Sequence, residues 1–422
     1  MTFLQTVYDL SRSYILKKVF KRFTSRIRKN KPNIRTLHDF FSRFSKKFAR
    51  HSLVNINWLD QNRKNFEIEL CPAYESMSYG PKLNEYDENV CRVVIPAIRQ
   101  YFFDNARINI SSSSVVCGSE AIIERVQGVS NARASYASGH IIEHGDAIAL
   151  VENNAELTVI EKAIFLGGNG CANYYHWLIE ILPKLEYLDD LPNYADYPLL
   201  VSNDVYQIKN LRAALSALVP DRAVVIVNSK ANHIAKNLVY INAPNECPFN
   251  LQRKQVQLPS DFYFRKSSID YLRKKLIKND LFSASRTKQR IFLARRPGRR
   301  SYNQDEVFNV LEPLGFRTVF MEELSFHEQI ELMLNAEVVA GPTGASWTNI
   351  IFCAPGTKCL CWMAEEQAGF AAFSNLAALV GADMRYVTYR AGVNTTGKLY
   401  FQDYTVDTTA IKKQMNKMLS SI

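Results

Sequence analysis

From about residue 160 to its end, this 422-residue chain alternates short apolar runs with amphipathic stretches. "TVIEKAIF", "YPLLVSN" and "AVVIVNS" read as strands. "NYYHWLIEILPKLEYLDDL" and "VYQIKNLRAALSALV" read as the helices between them. A long polar helix is expected over roughly 260–280. A second alternating series begins at "QRIFLARR" and runs through "NQDEVFNVLEPLG", "FRTVFMEEL", "SFHEQIELMLNA", "EVVAGPTGASWTNIIFC", "TKCLCWM" and "MRYVTY". It closes on a terminal helix capped by Asp407 or Thr408. Alternation of this kind specifies parallel sheets with crossover helices, so the expected class is α/β, with two such units in series. Ligands of open α/β sheets bind beyond the carboxyl ends of the strands.

The length is too great for one ordinary core and matches two domains of ~150 residues plus additional segments. Residues 51–158 are richer in short strands and in Gly, Ser and Asn punctuation, and read as a small β-rich lead-in. The expected organisation is therefore a basic leader at 1–50, the lead-in at 51–158, one α/β domain at 159–285 and a second at 286–422.

Charge separates the leader from the rest. Residues 1–50 hold 14 Lys and Arg against Asp9 and Asp39, a net +12, whereas the remaining residues carry a net −1. Within residues 1–30, Phe3, Leu4, Val7, Tyr8, Leu10, Tyr14, Ile15, Val19 and Phe20 recur near helical spacing with Lys and Arg between them. A basic amphipathic helix of this kind fits an anionic membrane surface. The same pattern fits a solvated arm, or a helix docked on the protein's own body. It is too charged to span a bilayer and lacks the unbroken apolar core and small-residue cleavage site of a signal peptide. No RRM, KH or zinc-finger signature accompanies it, so nucleic acid is not an expected partner. The eight cysteines include no C-x-x-C pair, which argues against structural zinc and for free thiols.

Two segments carry chemistry. In "EVVAGPTGASWTNIIF" a strand turns through Gly341, Pro342 and Gly344 into a helix near Ala345. The N–H groups of such a first turn offer an anion site, with hydroxyls from Thr343 and Ser346 and the Asn349 amide one turn on. A plain strand-to-helix turn would read the same way. The segment lacks a Walker A Lys and is not G-x-G-x-x-G. Arg295 and Arg296 end the strand before it and suit diphosphate oxygens; Arg299 and Arg300 read as a solvated loop. Ser325 and Glu328 form a capping box.

The second segment is "CANYYHWLIEILPKLEYL", after the "GGNG" turn. On a helix, Asn173, His176 and Glu180 share one face, with Trp177, Leu178 and Ile181 on the apolar side, and Pro183 must kink it. His176 with Glu180 one turn away is a general base with an orienting carboxylate, or a buried histidine satisfied by that carboxylate.

Together, "NYYHWLIEILPKL", "RIFLARR" and "EELSFHEQIELMLNAEVVAGPTGASWTNIIFCAPGTKCLCW" resemble glycosyltransferase family 61, in the family's order and spacing. "ASGHIIEHGDAIAL" also resembles the strand pair that precedes the domain in bacterial members. The resemblance covers residues 115–400. It implies a GT-B-like fold, with two Rossmann-like domains facing a cleft. It implies inverting transfer of a sugar from a nucleotide-sugar donor to a glycan or lipid-linked glycan acceptor, without an essential metal or a cofactor. His176 and Glu180 would be catalytic. Arg295, Arg296, Ser325, Phe326, Gln329, Glu331, Thr343, Gly344, Ala345, Ser346 and Asn349 would hold the donor. Asn173, Tyr175 and Trp177 would meet the acceptor or the sugar.

With the basic leader, the resemblance implies a capsule or lipopolysaccharide enzyme, peripheral on the cytoplasmic face of the plasma membrane. Many members have His where this chain has Thr343. That departure leaves a second expectation open, a non-catalytic nucleotide-sugar or glycan-binding partner in a polysaccharide assembly complex.

Overall fold

The computed structural model describes residues 48–56, 67–83, 89–124, 139–144, 147–153, 157–248, 257–277, 288–298, 300–393 and 396–420. The leader's helical pattern and Arg299 lie outside these residues.

The protein is mixed α/β and is built on two main sheets. The smaller has five parallel strands in the order Phe316–Val319, Gln289–Leu293, Ala336–Pro342, Lys358–Ala364 and Asp383–Tyr389. Its strands are apolar at successive positions because both faces are covered. Ile291, Leu293, Val339, Cys361 and Met363 enter one core, and Phe292, Val338, Ala340, Leu360 and Trp362 enter another. The helices Gln304–Leu311, Phe326–Leu334, Ala372–Val380 and Thr408–Leu419 connect or cover it. Asp407 caps the last, its carboxylate accepting from the N–H groups of Thr409 and Ala410.

The larger sheet has eleven strands. Val224–Val227, Leu199–Ser202, Thr158–Phe165 and His233–Ile241 run parallel, as the alternating pattern requires. The sheet does not stop there. His233–Ile241 pairs antiparallel with Ile98–Ile108, in register from His233 opposite Ile108 to Ile241 opposite Gln100. That strand continues through Ser114–Cys117 and Glu120–Ile123 to Phe48–Asn55, Ile148–Glu152 and Ile141–His144. The boundary expected at 158/159 thus falls inside one continuous sheet. The physical reason is edge protection, since an uncovered His233–Ile241 would present a row of unpaired backbone groups. Aromatic packing across the join holds the register, with Phe165 stacked on Tyr240 at 5.2 Å and Phe103 edge-on to Tyr240 at 6.5 Å.

The hairpin of Tyr74–Tyr79 and Val90–Ile95 reaches the C-terminal unit. Tyr79 N donates to Asn375 Oδ1 at 2.9 Å, and Ser374 Oγ donates to Tyr79 O at 2.6 Å. One apolar core runs through both α/β units, from Trp177 and Leu182 to Trp347 and Phe352.

The expected polar helix over 260–280 is shorter, at Lys266–Leu276. The helix expected from Tyr174 onward is a larger correction. It has one α turn at Tyr174–His176, a π turn at Trp177–Ile181 and a 3₁₀ run at Leu182–Asp190. Pro183 is the cause, because it cannot donate to Ile179 O. Asn245 Nδ2 donates to that carbonyl instead, at 2.6 Å, and the Leu182 N–H reaches back to Trp177 O. All eight cysteines are free thiols. Among the described residues, no helix is long and apolar enough to cross a membrane.

Candidate functional site

Strand order places a switch point in each sheet. In the larger, Thr158–Phe165 has Leu199–Ser202 on one side and His233–Ile241 on the other. In the smaller, Gln289–Leu293 is flanked by Phe316–Val319 and Ala336–Pro342. At such points the loops beyond the carboxyl ends of the strands diverge and leave room for a ligand. Both segments singled out above lie there.

At the first switch point, the "GGNG" turn follows Thr158–Phe165. Asn169 N donates to Ser113 Oγ and Ser113 N donates to Asn169 Oδ1, both at 3.0 Å, so the turn is tied to the serine run of the lead-in. Gly170 has φ +70, and a Cβ there would sit 2.7 Å from His176 Cδ2. Glycine is required both by the backbone and by the approach of the imidazole ring.

Asn173 accepts from Tyr175 N and caps the first turn. His176 Nδ1 lies 2.6 Å from Glu180 Oε2, and Glu180 Oε1 accepts from Cys247 N at 2.7 Å. Cys247 follows His233–Ile241, so Glu180 bridges the two strands of the switch point. The Glu180 side chain has no exposure and that of His176 has 12%. A carboxylate can only accept, so Nδ1 carries the proton in this pair and the ring is fixed in tautomer and orientation.

At the second switch point, the Arg295 guanidinium donates to Thr343 O, joining the ends of Gln289–Leu293 and Ala336–Pro342. A Cβ at Gly344 would come 2.9 Å from Arg295 Nη2, the tip of a long side chain, so the guanidinium lies directly against this backbone. Burial pulls the Arg295 guanidinium below the usual arginine value, and Arg300 pushes the same way. A 3₁₀ helix, Ala345–Phe352, leads away from the turn with Ala345 exposed and Ser346 half-buried.

The two switch points are joined. Tyr174 Oη donates to Asn349 Oδ1 at 2.6 Å, Asn349 Nδ2 donates to Gln329 Oε1 at 3.1 Å, and Gln329 Nε2 donates to Met321 O at 2.7 Å. Burial pushes the Tyr174 hydroxyl well above the usual tyrosine value, so it remains a donor. Tyr175 packs edge-on against His176 at 5.4 Å and Phe373 at 5.9 Å.

Several expected contacts are corrected. Trp177 is fully buried and donates to Leu211 O, so it supports the fold rather than meeting a sugar. Arg296 turns outward to an ion pair with Glu323 and lies over the Phe320 ring. Phe326 is buried against Phe352, and Ser325 is engaged in its capping box with Glu328. Glu331 is half-buried on the same helix. Gln329 and Asn349 serve the buried relay to Tyr174. Thr343 is 6% exposed, and its N–H donates to Trp362 O at 2.9 Å within the sheet. Arg300, expected in a solvated loop, is 6% exposed.

Sequence reasoning missed Tyr174, Asn245 and Arg300. The one available signal was Pro183, which requires a substitute donor for Ile179 O. Among the described residues, no group of three or more His, Cys, Asp or Glu is arranged to hold a metal ion.

The family model described as Glycosyltransferase 61 matches residues 174–360, a span that takes in His176 and Glu180 and the whole of the segment at the second switch point but not the "GGNG" turn. No curated protein matches the chain.

Proposed function

We propose that this chain, whose residues 174–360 belong to glycosyltransferase family 61, is an inverting transferase that moves a sugar from a nucleotide-sugar donor to a glycan acceptor. The observation that supports this reading is the Tyr174–Asn349 hydrogen bond, which ties the turn that carries His176 to the helix that follows the arginine-and-glycine turn.

In the proposed reaction His176 is the base. With Nδ1 engaged by Glu180, Nε2 takes the proton from the acceptor hydroxyl. The oxygen attacks the anomeric carbon from the face opposite the leaving group. The bond from that carbon to the diphosphate oxygen breaks as the new bond forms, and its electron pair leaves with the diphosphate. One displacement inverts the centre. Charge develops on the leaving phosphate, where Arg295 and the turn at Gly344–Ser346 stabilise it. Protonation of His176 places a cation beside buried Glu180, which stabilises the imidazolium as it forms.

The acceptor in this reading is a growing cell-surface glycan, capsule or lipopolysaccharide, and the charge of residues 1–30 supports work at an anionic membrane surface. Thermal unfolding of the purified chain against UDP, GDP, CMP, ADP and TDP, with and without EDTA, tests the donor site. A ligand bound to the folded state raises the midpoint by mass action. The reading expects a rise with one nucleotide that EDTA does not remove. A folded sample that responds to none contradicts it and favours a partner that binds glycan alone.

A further inference from the structure

The "GGNG" turn, residues 167–170, lies between His176 and the lead-in. On one side a Cβ at Gly170 would meet the imidazole ring. On the other, a Cβ at Gly168, where φ is +138, would sit 2.6 Å from Ser113 Oγ. Three hydrogen bonds fasten the turn to the lead-in. Gly168 N donates to Ile110 O at 2.9 Å, Asn169 N donates to Ser113 Oγ at 3.0 Å, and Ser113 N donates in return to Asn169 Oδ1 at 3.0 Å. The constraint passes on along the chain. Asn173 N donates to Gly170 O at 2.7 Å and Trp177 N to Asn173 O at 2.9 Å, so the first turn of the His176 segment is built on Gly170.

Ser113 is itself fixed. It is buried, and its carbonyl accepts from Glu124 N at 3.0 Å. The Glu124 carboxylate in turn accepts from Tyr240 Oη and from Ala243 N, beyond the end of His233–Ile241, and Lys184 Nζ lies 3.8 Å from it. The same stretch of chain leads on to Cys247, whose N–H holds Glu180. A buried polar network in which the members answer one another rigidifies what it joins. Ser113, Glu124 and Asn169 all lie outside the matched residues 174–360.

We propose that Ser113 is a positioning residue for His176. Its hydroxyl and N–H clamp Asn169, the clamp sets Gly170 against the imidazole, and the ring is thereby kept on the Glu180 carboxylate. The consequence for catalysis rests on the transferase reading, whereas the clamp's hold on the ring does not. Misplacing a reacting group by ~1 Å costs about a hundredfold in rate, so a residue that never touches substrate can matter to the reaction.

The test is NMR of the full chain labelled at histidine, reading solvent exchange of the His176 Nδ1 proton, which is assigned by its loss in His176→Gln. Ser113→Ala and Asn169→Ala each remove one half of the clamp. Ser114→Ala is the control, because it removes the neighbouring buried hydroxyl, which bonds to Ser112 and His140. Ser113→Ala is expected to speed exchange about tenfold or more, since Asn169 N loses its buried acceptor. Ser114→Ala is expected to leave it unchanged. Where a donor is turned over, Ser113→Ala is expected to lower kcat about tenfold to a hundredfold with KM unchanged. Asn169→Ala decides the matter if Ser113→Ala fails to fold. Unchanged exchange in the clamp variants, or equal acceleration in Ser114→Ala, overturns the proposal. Faster exchange with an undiminished kcat overturns the positioning role and leaves the transferase reading standing. Ser113-dependent exchange in a protein that turns over no donor supports the clamp and removes the transferase reading.

Discussion

Glu180 lies wholly buried and grips His176 Nδ1 at 2.6 Å, with its second oxygen held by the Cys247 N–H. The histidine is thus oriented by a carboxylate that is itself fixed. His176→Ala is expected to lower transfer by about 10²–10⁴-fold, the range for loss of a general base, in a protein that still folds but melts lower because buried Glu180 loses a partner. Glu180→Gln is expected to lower kcat with little change in KM for the donor, because it misorients the base without touching substrate. Steady-state kinetics on both variants check this, and full activity in His176→Ala removes it from the mechanism.

Gly170→Ala is expected to damage the same residue from the other side. A Cβ would meet the imidazole at 2.7 Å in a backbone with φ +70. We expect a loss of about 1–2 kcal/mol in stability together with a fall in kcat, because the ring must move. Urea unfolding and kinetics on the same preparation separate the two effects. A stable variant with normal kcat contradicts the close approach.

The break from α to π geometry after His176 depends on Asn245. Its amide satisfies Ile179 O, and its carbonyl accepts from Arg265 N at 2.8 Å. Asn245→Ala leaves both buried backbone groups unpaired and is expected to cost about 2–4 kcal/mol. Chemical denaturation measures it, and a loss below about 0.5 kcal/mol would show that other groups cap the turn.

These residues mark what the sequence could reveal. The alternation of strands and helices is carried by local periodicity, and both glycine turns and the His176–Glu180 spacing were legible. The capping box at Ser325 and the Asp407 cap are likewise local and stand as read. What was not legible is long-range. Asn245 reaches Ile179 across 66 positions, and Arg300 is buried by Tyr389, 89 positions away. The union of the lead-in with the first parallel strands depends on which edge Ile98–Ile108 covers, and periodicity carries no such information. The spacing put Trp177 on the apolar side, where its indole lies, and only the acceptor contact that the resemblance implied for it does not fit.

Acid should weaken the lead-in. His140 is fully buried against Ser114, and burial pulls its imidazole down to about 3 from 6.5, with Arg107 and His51 pushing the same way. Because the folded value is depressed, the unfolded chain binds a proton first as pH falls. Stability is then lost from about pH 6.5 downward, at roughly 1.4 kcal/mol per pH unit from this residue. Urea unfolding at pH 7, 6 and 5 should show this slope, and His140→Asn should flatten it. Equal slopes in the two proteins contradict the assignment.

The central claim is that the oriented histidine and the arginine turn act on one nucleotide-sugar. The most direct measurement is release of free nucleotide from a panel of radiolabelled nucleotide-sugars, with a glycan extract as acceptor, by the unaltered protein and by His176→Ala and Arg295→Ala. The account predicts release from one donor with transfer of label to glycan, and a loss of about a hundredfold or more in each variant. Release that persists undiminished in both variants, or no release from any donor by folded protein, contradicts it.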